Sequence, residues 1–169
     1  MKDKDMKTEE PATVEEQLDL ANKYYYGKGV PQDKEKAAYW FEKTAQHGDV
    51  VAQCILGFCN DFAEGVPKDY EKGAYWYAQA SRQGNAEAQC RLGVCYVLGK
   101  GVSQDYQEAV YWFEQASRQG HADAQYNLGN CYDIGLGVPQ DEEQAVYWYA
   151  KSAQQGNLKA LENLKSLIG

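Results

Sequence analysis

A 36-residue period runs through the chain and constrains its fold more than any other feature. The period is marked by tryptophan at Trp40, Trp76, Trp112 and Trp148. Three other landmarks keep the same step: a Gly-Val pair beginning at Gly29, Gly65, Gly101 and Gly137; an aspartate at Asp33, Asp69, Asp105 and Asp141; and a glycine at Gly48, Gly84, Gly120 and Gly156. The landmarks predict four copies of one unit, which must stack because one copy cannot bury its apolar faces alone.

Each unit is predicted to contain two helices. The second helix carries apolar or small residues at the i, i+3, i+4, i+7 and i+8 spacing of a helical face, in the first unit at Ala37, Trp40, Phe41, Thr44 and Ala45. The recurring aspartate is its N-cap, and the recurring glycine follows its C-terminus. The first helix of the next unit begins after that glycine, with Asp49, Asn85 and Asn157 as good caps and His121 as a weaker one. The aromatic triplets around each tryptophan are expected to fill the core.

These elements predict an all-α solenoid of helix-turn-helix repeats. Its units are residues 13–48, 49–84, 85–120 and 121–156, and residues 157–169 form a C-terminal capping helix. The resulting domain spans residues 13–169 and follows a charged N-terminal segment, residues 1–12, that is expected to be a flexible, solvated tail.

The repeat motif resembles the Sel-one-like repeat (SLR) family, a branch of the tetratricopeptide-repeat superfamily. In the third unit the motif residues are Ala88, Leu92, Gly93, Tyr96, Gly99, Gly101, Val102, Asp105, Ala109, Trp112, Phe113, Ala116, Ser117 and Gly120. The resemblance implies a right-handed superhelix whose concave face is lined by the first helices. It also implies an adaptor that assembles protein complexes. A cysteine-rich bacterial branch of the family pairs cysteines between the helices of each repeat, and the cysteine spacing of this chain does not match that pattern.

The five cysteines cannot all be paired within one chain. Cys54 and Cys59, like Cys90 and Cys95, are five residues apart on one predicted helix and therefore point in different directions. Cys131 continues the 36-residue step, and stacked helices are too far apart for a bond between equivalent positions. Reduced core or groove residues in a reducing compartment are expected. The alternative is a metal held by the first four cysteines.

Composition and motifs exclude several classes of function. A net charge of −8 argues against nucleic acid and against anionic membranes as partners. The chain lacks a glycine-rich phosphate loop, an S-x-x-K motif and any nucleophile beside a base, so no enzyme, cofactor or metal site is predicted. Residues 1–12 have no apolar core typical of a secretory signal, so a cytoplasmic location is expected unless a signal was removed earlier.

The concave face is predicted to bind a protein or peptide. Superposing the repeat on the tetratricopeptide pattern assigns to this surface Asn22, Tyr25, Tyr26, Phe58, Asp61, Phe62, Val94, Val97, Leu98, Tyr126, Asn130, Asp133 and Ile134. The same superposition adds the acids Glu15, Glu87 and Asp123 and places no lysine or arginine there before Lys159. We therefore expect a segment with apolar anchors and at least one Lys or Arg.

Three alternatives to this interpretation remain open. A tight superhelix would bury the apolar residues. Independently of this, the acids would be ordinary solvated surface. The chain would otherwise be a self-assembling structural module, for example a homodimer, or an interaction protein of the bacterial effector or virulence type.

The second unit departs most from the others. Asn60 replaces the tyrosine found at Tyr24, Tyr96 and Tyr132, and Ala63 replaces a loop glycine. Asn60 is expected either to reach the groove or to hydrogen-bond the altered loop. Gly73 replaces a helical alanine, so Gly73→Ala is predicted to raise stability.

Overall fold

The computed structural model describes residues 13–169, and the predicted tail lies outside them. Within that range the chain forms nine helices and no strand. The helices are α1 (Val14–Tyr26), α2 (Lys34–Gln46), α3 (Val50–Phe62), α4 (Tyr70–Arg82), α5 (Ala86–Leu98), α6 (Tyr106–Arg118), α7 (Ala122–Ile134), α8 (Glu142–Gln154) and α9 (Leu158–Ile168). Four helix hairpins followed by one C-terminal helix confirm the predicted α-solenoid.

The helix ends lie where the caps predicted them. The Asp33 carboxylate accepts a hydrogen bond from the backbone N–H of Lys36 at 2.9 Å, which satisfies one of the free donors at the start of α2. His121 caps α7 in the same way, because its Nδ1 accepts from the Ala124 N–H at 3.2 Å. After α2 the chain turns at Gly48, whose φ of +89° favours glycine.

Each hairpin is closed by a buried aromatic ring of the second helix that packs on a small residue of the first. In the third repeat a Cβ added to Gly93 would lie 2.6 Å from the Phe113 ring, so only glycine allows this close approach. The aromatic triplets, however, are not wholly core. The tryptophans are half-buried, and the tyrosine before each of them is exposed by about half, at Tyr39, Tyr75, Tyr111 and Tyr147.

A buried glutamine relay ties successive repeats together, and the motif analysis did not predict it. In the second and third repeats Gln89 of α5 donates to the Ser81 carbonyl of α4 at 3.1 Å, and its Oε1 accepts from Gln119 at 2.8 Å. The same arrangement joins Gln53 to Gln83 and Gln125 to Gln155. Because buried amides need partners, the relay sets the register of three consecutive helices.

The repeat pattern predicts that the first helices line the concave face. The helices α3 and α5 contact each other directly, which agrees with this prediction because equivalent helices approach on the shorter side of a curve. We call the surface of the first helices the concave face. None of the helices between residues 13 and 169 is long and apolar enough to cross a membrane.

Candidate functional site

A trough of about 700 Å³ runs across the concave face between α5, α7 and α9. It is lined by Glu87, Arg91, Val94, Asp123, Tyr126, Asn127 and Lys159, among others. Val94 and Tyr126, both predicted from the sequence, therefore lie on one continuous surface. The trough combines apolar walls with hydrogen-bond donors and acceptors.

The apolar residues predicted for this face are accessible. Phe62, Val94, Leu98 and Ile134 are 52%, 37%, 53% and 67% exposed. The alternative of a tight superhelix that buries them is therefore wrong for these four residues, whereas Val97 is half-buried against the core of the third and fourth repeats. Phe58 is half-buried and stacks on Phe62 with a centroid distance of 4.5 Å, which gives the second repeat a flat aromatic surface.

The expectation of a concave face without cations before Lys159 is wrong, because Arg91 lies in the trough. Its Nε donates to the Glu87 carboxylate, and its guanidinium lies 5.2 Å from the centroid of the Phe58 ring. Arg91 was missed because the tetratricopeptide superposition assigned the neighbouring helical positions to the groove. Comparison with Asn127 and Asn163, which are polar at the same repeat position, would have identified it.

Glu87 is neutralised by its neighbours and is not a free acid of the groove. Its second carboxylate oxygen lies 2.9 Å from the Nε2 of His121 in the next repeat. The hydrogen bond with His121, with the Arg91 guanidinium nearby, lowers the pKa of Glu87 to about 2. Asp123 accepts from Asn157 at 3.2 Å. Asp61 and Asp133 have no ion-pair partner among residues 13–169 and remain to attract a cation.

The fourth repeat contains a hydrogen-bond network that includes two predicted site residues. Tyr149 Oη lies 2.7 Å from Asn130 Oδ1 and 3.1 Å from Asp133 Oδ2, and it accepts from Asn163 Nδ2 at 3.1 Å. Burial is the main cause that raises the pKa of Tyr149. The network fixes the orientation of Asn130 and Asp133, so this part of the concave face is preorganised.

Tyr77 occupies the equivalent position in the second repeat without such a network. Its hydroxyl is buried and makes no hydrogen bond within the described chain. Around Tyr149 the hydrogen-bond partners include Asn130 of α7 and Asn163 of α9. The equivalent positions around Tyr77 are occupied by Phe58 and Arg91. The two halves of the concave face therefore differ in polarity although they share one scaffold.

The predicted site residues of the first repeat lie apart from the trough. Tyr25 packs edge-on against Phe41 with its centroid 6.0 Å away, and the Lys34 ammonium lies 3.5 Å from the Tyr25 ring centroid. Tyr26 is 60% exposed, and Asn22 is half-buried on the same helix. None of the three lines the trough, and all three lie on α1 at the N-terminal end of the predicted concave face.

The five cysteines are free thiols, four of them buried and Cys54 half-buried. Burial raises the pKa of Cys54, Cys59, Cys95 and Cys131 to about 11 and that of Cys90 to about 12. Thiols of this kind are poor nucleophiles and poor metal ligands at neutral pH. In the described part of the chain no cluster of His, Cys, Asp and Glu could hold a metal ion.

Asn60 neither reaches the groove nor bonds the loop, so both expectations for it are wrong. It is buried, and its Nδ2 donates to the Leu56 carbonyl of its own helix at 2.8 Å. The short amide leaves a cavity of about 180 Å³ between Asn60 and Trp76. A tyrosine ring stands at this repeat position in the other units, which accounts for the space.

Comparison with known proteins identifies the repeat. The Sel1 repeat model matches the chain four times, at residues 17–49, 50–85, 86–121 and 122–157. No curated protein matches the chain.

Solved structures show the same fold. A protective antigen present in uropathogenic Escherichia coli strains, with an SLR fold, is 38% identical with a TM-score of 0.87 over 90% of this chain and 32% of that one. A Sel1 repeat protein from Oxalobacter formigenes is 30% identical in sequence and has a TM-score of 0.82. The match covers 90% of this chain and 61% of the Oxalobacter protein. Cysteine rich protein B of Helicobacter pylori is 25% identical in sequence and has a TM-score of 0.62. The match covers 82% of this chain and 99% of the Helicobacter protein.

This chain thus spans 32% of the Escherichia coli antigen and 61% of the Oxalobacter protein. Members of the matched family are generally protein-interaction scaffolds, and the repeat itself is a non-enzymatic scaffold fold. On its four repeats, their hairpin geometry and these similarities, the chain belongs to the Sel1 repeat family.

Proposed function

We propose that the chain is a non-catalytic adaptor that holds a segment of another protein on its concave face. The observation that carries the proposal is a group of exposed apolar residues on the first helices, Phe62, Val94, Leu98 and Ile134, of which Val94 lines the trough. The repeat does not require them for packing, and exposed apolar surface rimmed by polar groups is typical of protein-binding sites.

The charge of the partner is inferred from two acids that have no ion pair within residues 13–169. Asp61 and Asp133 lie on the same face as the apolar residues, so a segment with at least one Lys or Arg is favoured. Charge reversal of both residues to lysine is expected to weaken binding of such a segment. Unchanged affinity would refute this charge rule.

The proposal is tested by affinity capture from a lysate of the source organism. The wild type is compared with Phe58→Asp/Tyr126→Ala on the concave face and with Tyr111→Asp, a matched change at an exposed aromatic residue of a second helix. Circular dichroism confirms that each variant folds. A partner lost only by the concave-face variant supports the proposal, and a partner retained equally by all three proteins contradicts it.

A second candidate function is self-association through α9. This helix exposes Leu158 by 72% and Ile168 by 63%, so it is less polar than a typical terminal cap. Light scattering at increasing concentration distinguishes the two candidates. A molar mass that rises with concentration in the wild type, but not in Ile168→Lys, would favour an assembly module, because Ile168 is exposed on α9 and does not line the trough.

A further inference from the structure

A small apolar cavity lies on the concave face between α5, α7 and the loop that follows α7. Its volume is about 200 Å³, and its lining includes Val94, Val97, Leu98, Phe113 and Leu136. We call it the socket. It has room for one aliphatic side chain of leucine or methionine size.

The residues of the socket are apolar although the repeat does not require it. Leu136 stands where the other units have Lys28, Glu64 and Lys100. Val97 stands where two of the other units have Asp61 and Asp133. Val97 and Leu136 pack in part against the core of the third and fourth repeats. Charged residues nevertheless satisfy the fold at both positions, so the apolar lining of this socket exceeds what the repeat requires.

Two amides at the edge of the socket are placed to recognise peptide groups. Asn127 donates a weak bond to the Cys90 sulfur at 3.7 Å, and its Oδ1 has no hydrogen-bond partner within residues 13–169. Asn130 accepts at Oδ1 from Tyr149 and Asn163, while its Nδ2 has none in the same range. One free acceptor and one free donor match the N–H and C=O of an extended chain.

The charge beside the socket specifies the neighbouring residue of the ligand. Asp133 accepts from the same Tyr149 hydroxyl as Asn130, so its carboxylate lies close to the edge of the socket. The carboxylate has no ion-pair partner in the described part of the chain. A lysine or arginine next to the inserted side chain would complement it.

We infer that the socket binds one leucine-, isoleucine- or methionine-type side chain of an extended partner segment, adjacent to a Lys or Arg, while Asn127 and Asn130 bind its main chain. The inference rests on the proposed function and assigns its anchor point. The socket, rather than the aromatic surface of Phe58 and Phe62, then determines which segment is accepted.

The capped dipeptide acetyl-Leu-Lys-N-methylamide is the probe, followed by NMR of the Val, Leu and Ile methyl groups. Saturable shifts of Val94, Val97 and Leu136 with a dissociation constant on the order of 1 mM are expected for so small a ligand. Acetyl-Ala-Lys-N-methylamide and acetyl-Leu-Glu-N-methylamide are expected to bind at least tenfold more weakly. Equal shifts for all three probes, or none at the socket, would overturn the inference.

Variants templated on the other repeats keep the test independent of folding. Leu136→Lys and Val94→Asn introduce residues found at Lys100 and Asn130, and both are expected to lose the probe. Lys100→Leu, the mirror change one repeat earlier, is expected to bind as the wild type does.

The captured partner separates this inference from the proposed function. A partner lost by Phe58→Asp/Tyr126→Ala but retained by Leu136→Lys would overturn the socket and leave the adaptor standing. A concentration-dependent dimer abolished by Leu136→Lys would assign the socket to a second copy and also overturn the inference.

Discussion

Replacing tyrosine with phenylalanine is predicted to change stability in opposite directions in the second and fourth repeats. Tyr77 and Tyr149 occupy equivalent buried positions, and phenylalanine fills that position at Phe41 and Phe113. The ring alone therefore satisfies the packing. The hydroxyl of Tyr77 has no partner among the described residues, whereas that of Tyr149 joins the network with Asn130, Asp133 and Asn163.

The magnitudes follow from the cost of a buried hydroxyl without a partner. Leaving one unsatisfied costs roughly 1–3 kcal/mol, so Tyr77→Phe is expected to stabilise the chain by about 1 kcal/mol. Tyr149→Phe removes the hydroxyl from a satisfied network and is expected to destabilise by about 1–2 kcal/mol. The two variants should then differ by about 2–3 kcal/mol, or roughly 4–12 °C in Tm for a chain of this size.

Equilibrium urea unfolding followed by circular dichroism measures both variants beside the wild type. A higher midpoint for Tyr77→Phe and a lower one for Tyr149→Phe, with the denaturant slope unchanged, is the expected result. If Tyr77→Phe lowers the midpoint as much as Tyr149→Phe does, the Tyr77 hydroxyl is bonded in solution and the reasoning fails. Tyr77→Phe/Asp61→Asn would then show whether Asp61 is the acceptor.

Three further substitutions test other features. Asn60→Tyr restores the tyrosine of the other repeats and fills a cavity of about 180 Å³. The free energy of unfolding, measured in urea, is therefore expected to rise by about 1 kcal/mol. A decrease would show that the cavity cannot accept the ring. Gly73→Ala should raise the free energy of unfolding by up to about 1 kcal/mol, because the helical propensity of alanine exceeds that of glycine. The added Cβ would lie 3.3 Å from the Gly57 carbonyl oxygen, 3.5 Å from the Asp61 nitrogen and 3.7 Å from the Asn60 Cβ. A lower thermal midpoint would mean that the 3.3 Å contact cannot relax. Glu87→Gln should cost about 1 kcal/mol at neutral pH after allowance for solvent screening. Because the pKa of Glu87 falls from 4.5 to about 2 on folding, the difference from wild type should vanish as the pH falls through that window. A pH-independent difference would contradict the stabilisation of the Glu87 carboxylate by the His121 hydrogen bond and the Arg91 ion pair.

The scaffold was predictable because it is specified many times over. The aspartate caps, the loop glycines and the tryptophans each repeat at one step, so an error at one position is corrected by the other three. Residues that occur only once have no such support. Leu136 lies between two loop glycines, so the sequence indicates only that it belongs to a loop. Its contribution to the socket depends on how α5 and α7 approach each other.

The helices that form the concave face were predicted because they repeat, whereas several individual side chains on it were missed because they occur only once. The apolar residues of this face were identified, but the superposition assigned Glu87 and Val94 to the groove and left out Arg91, which lies between them on α5 and also lines the trough. The Asn60 bond to its own helix depends on side-chain geometry that no repeat pattern encodes. The glutamine relay repeats at the 36-residue step and was therefore available in the sequence, although its purpose becomes visible only when the helices are stacked.

Site-specific photo-crosslinking tests the central claim of a concave protein-binding face most directly. A benzophenone side chain replaces Phe62 on the concave face in one variant and Tyr111 on a second helix in another, both positions being about half exposed. After irradiation with the captured partner, we expect a covalent adduct from position 62 and none from position 111. An adduct from position 111 alone would place the partner on the outer face and contradict the account.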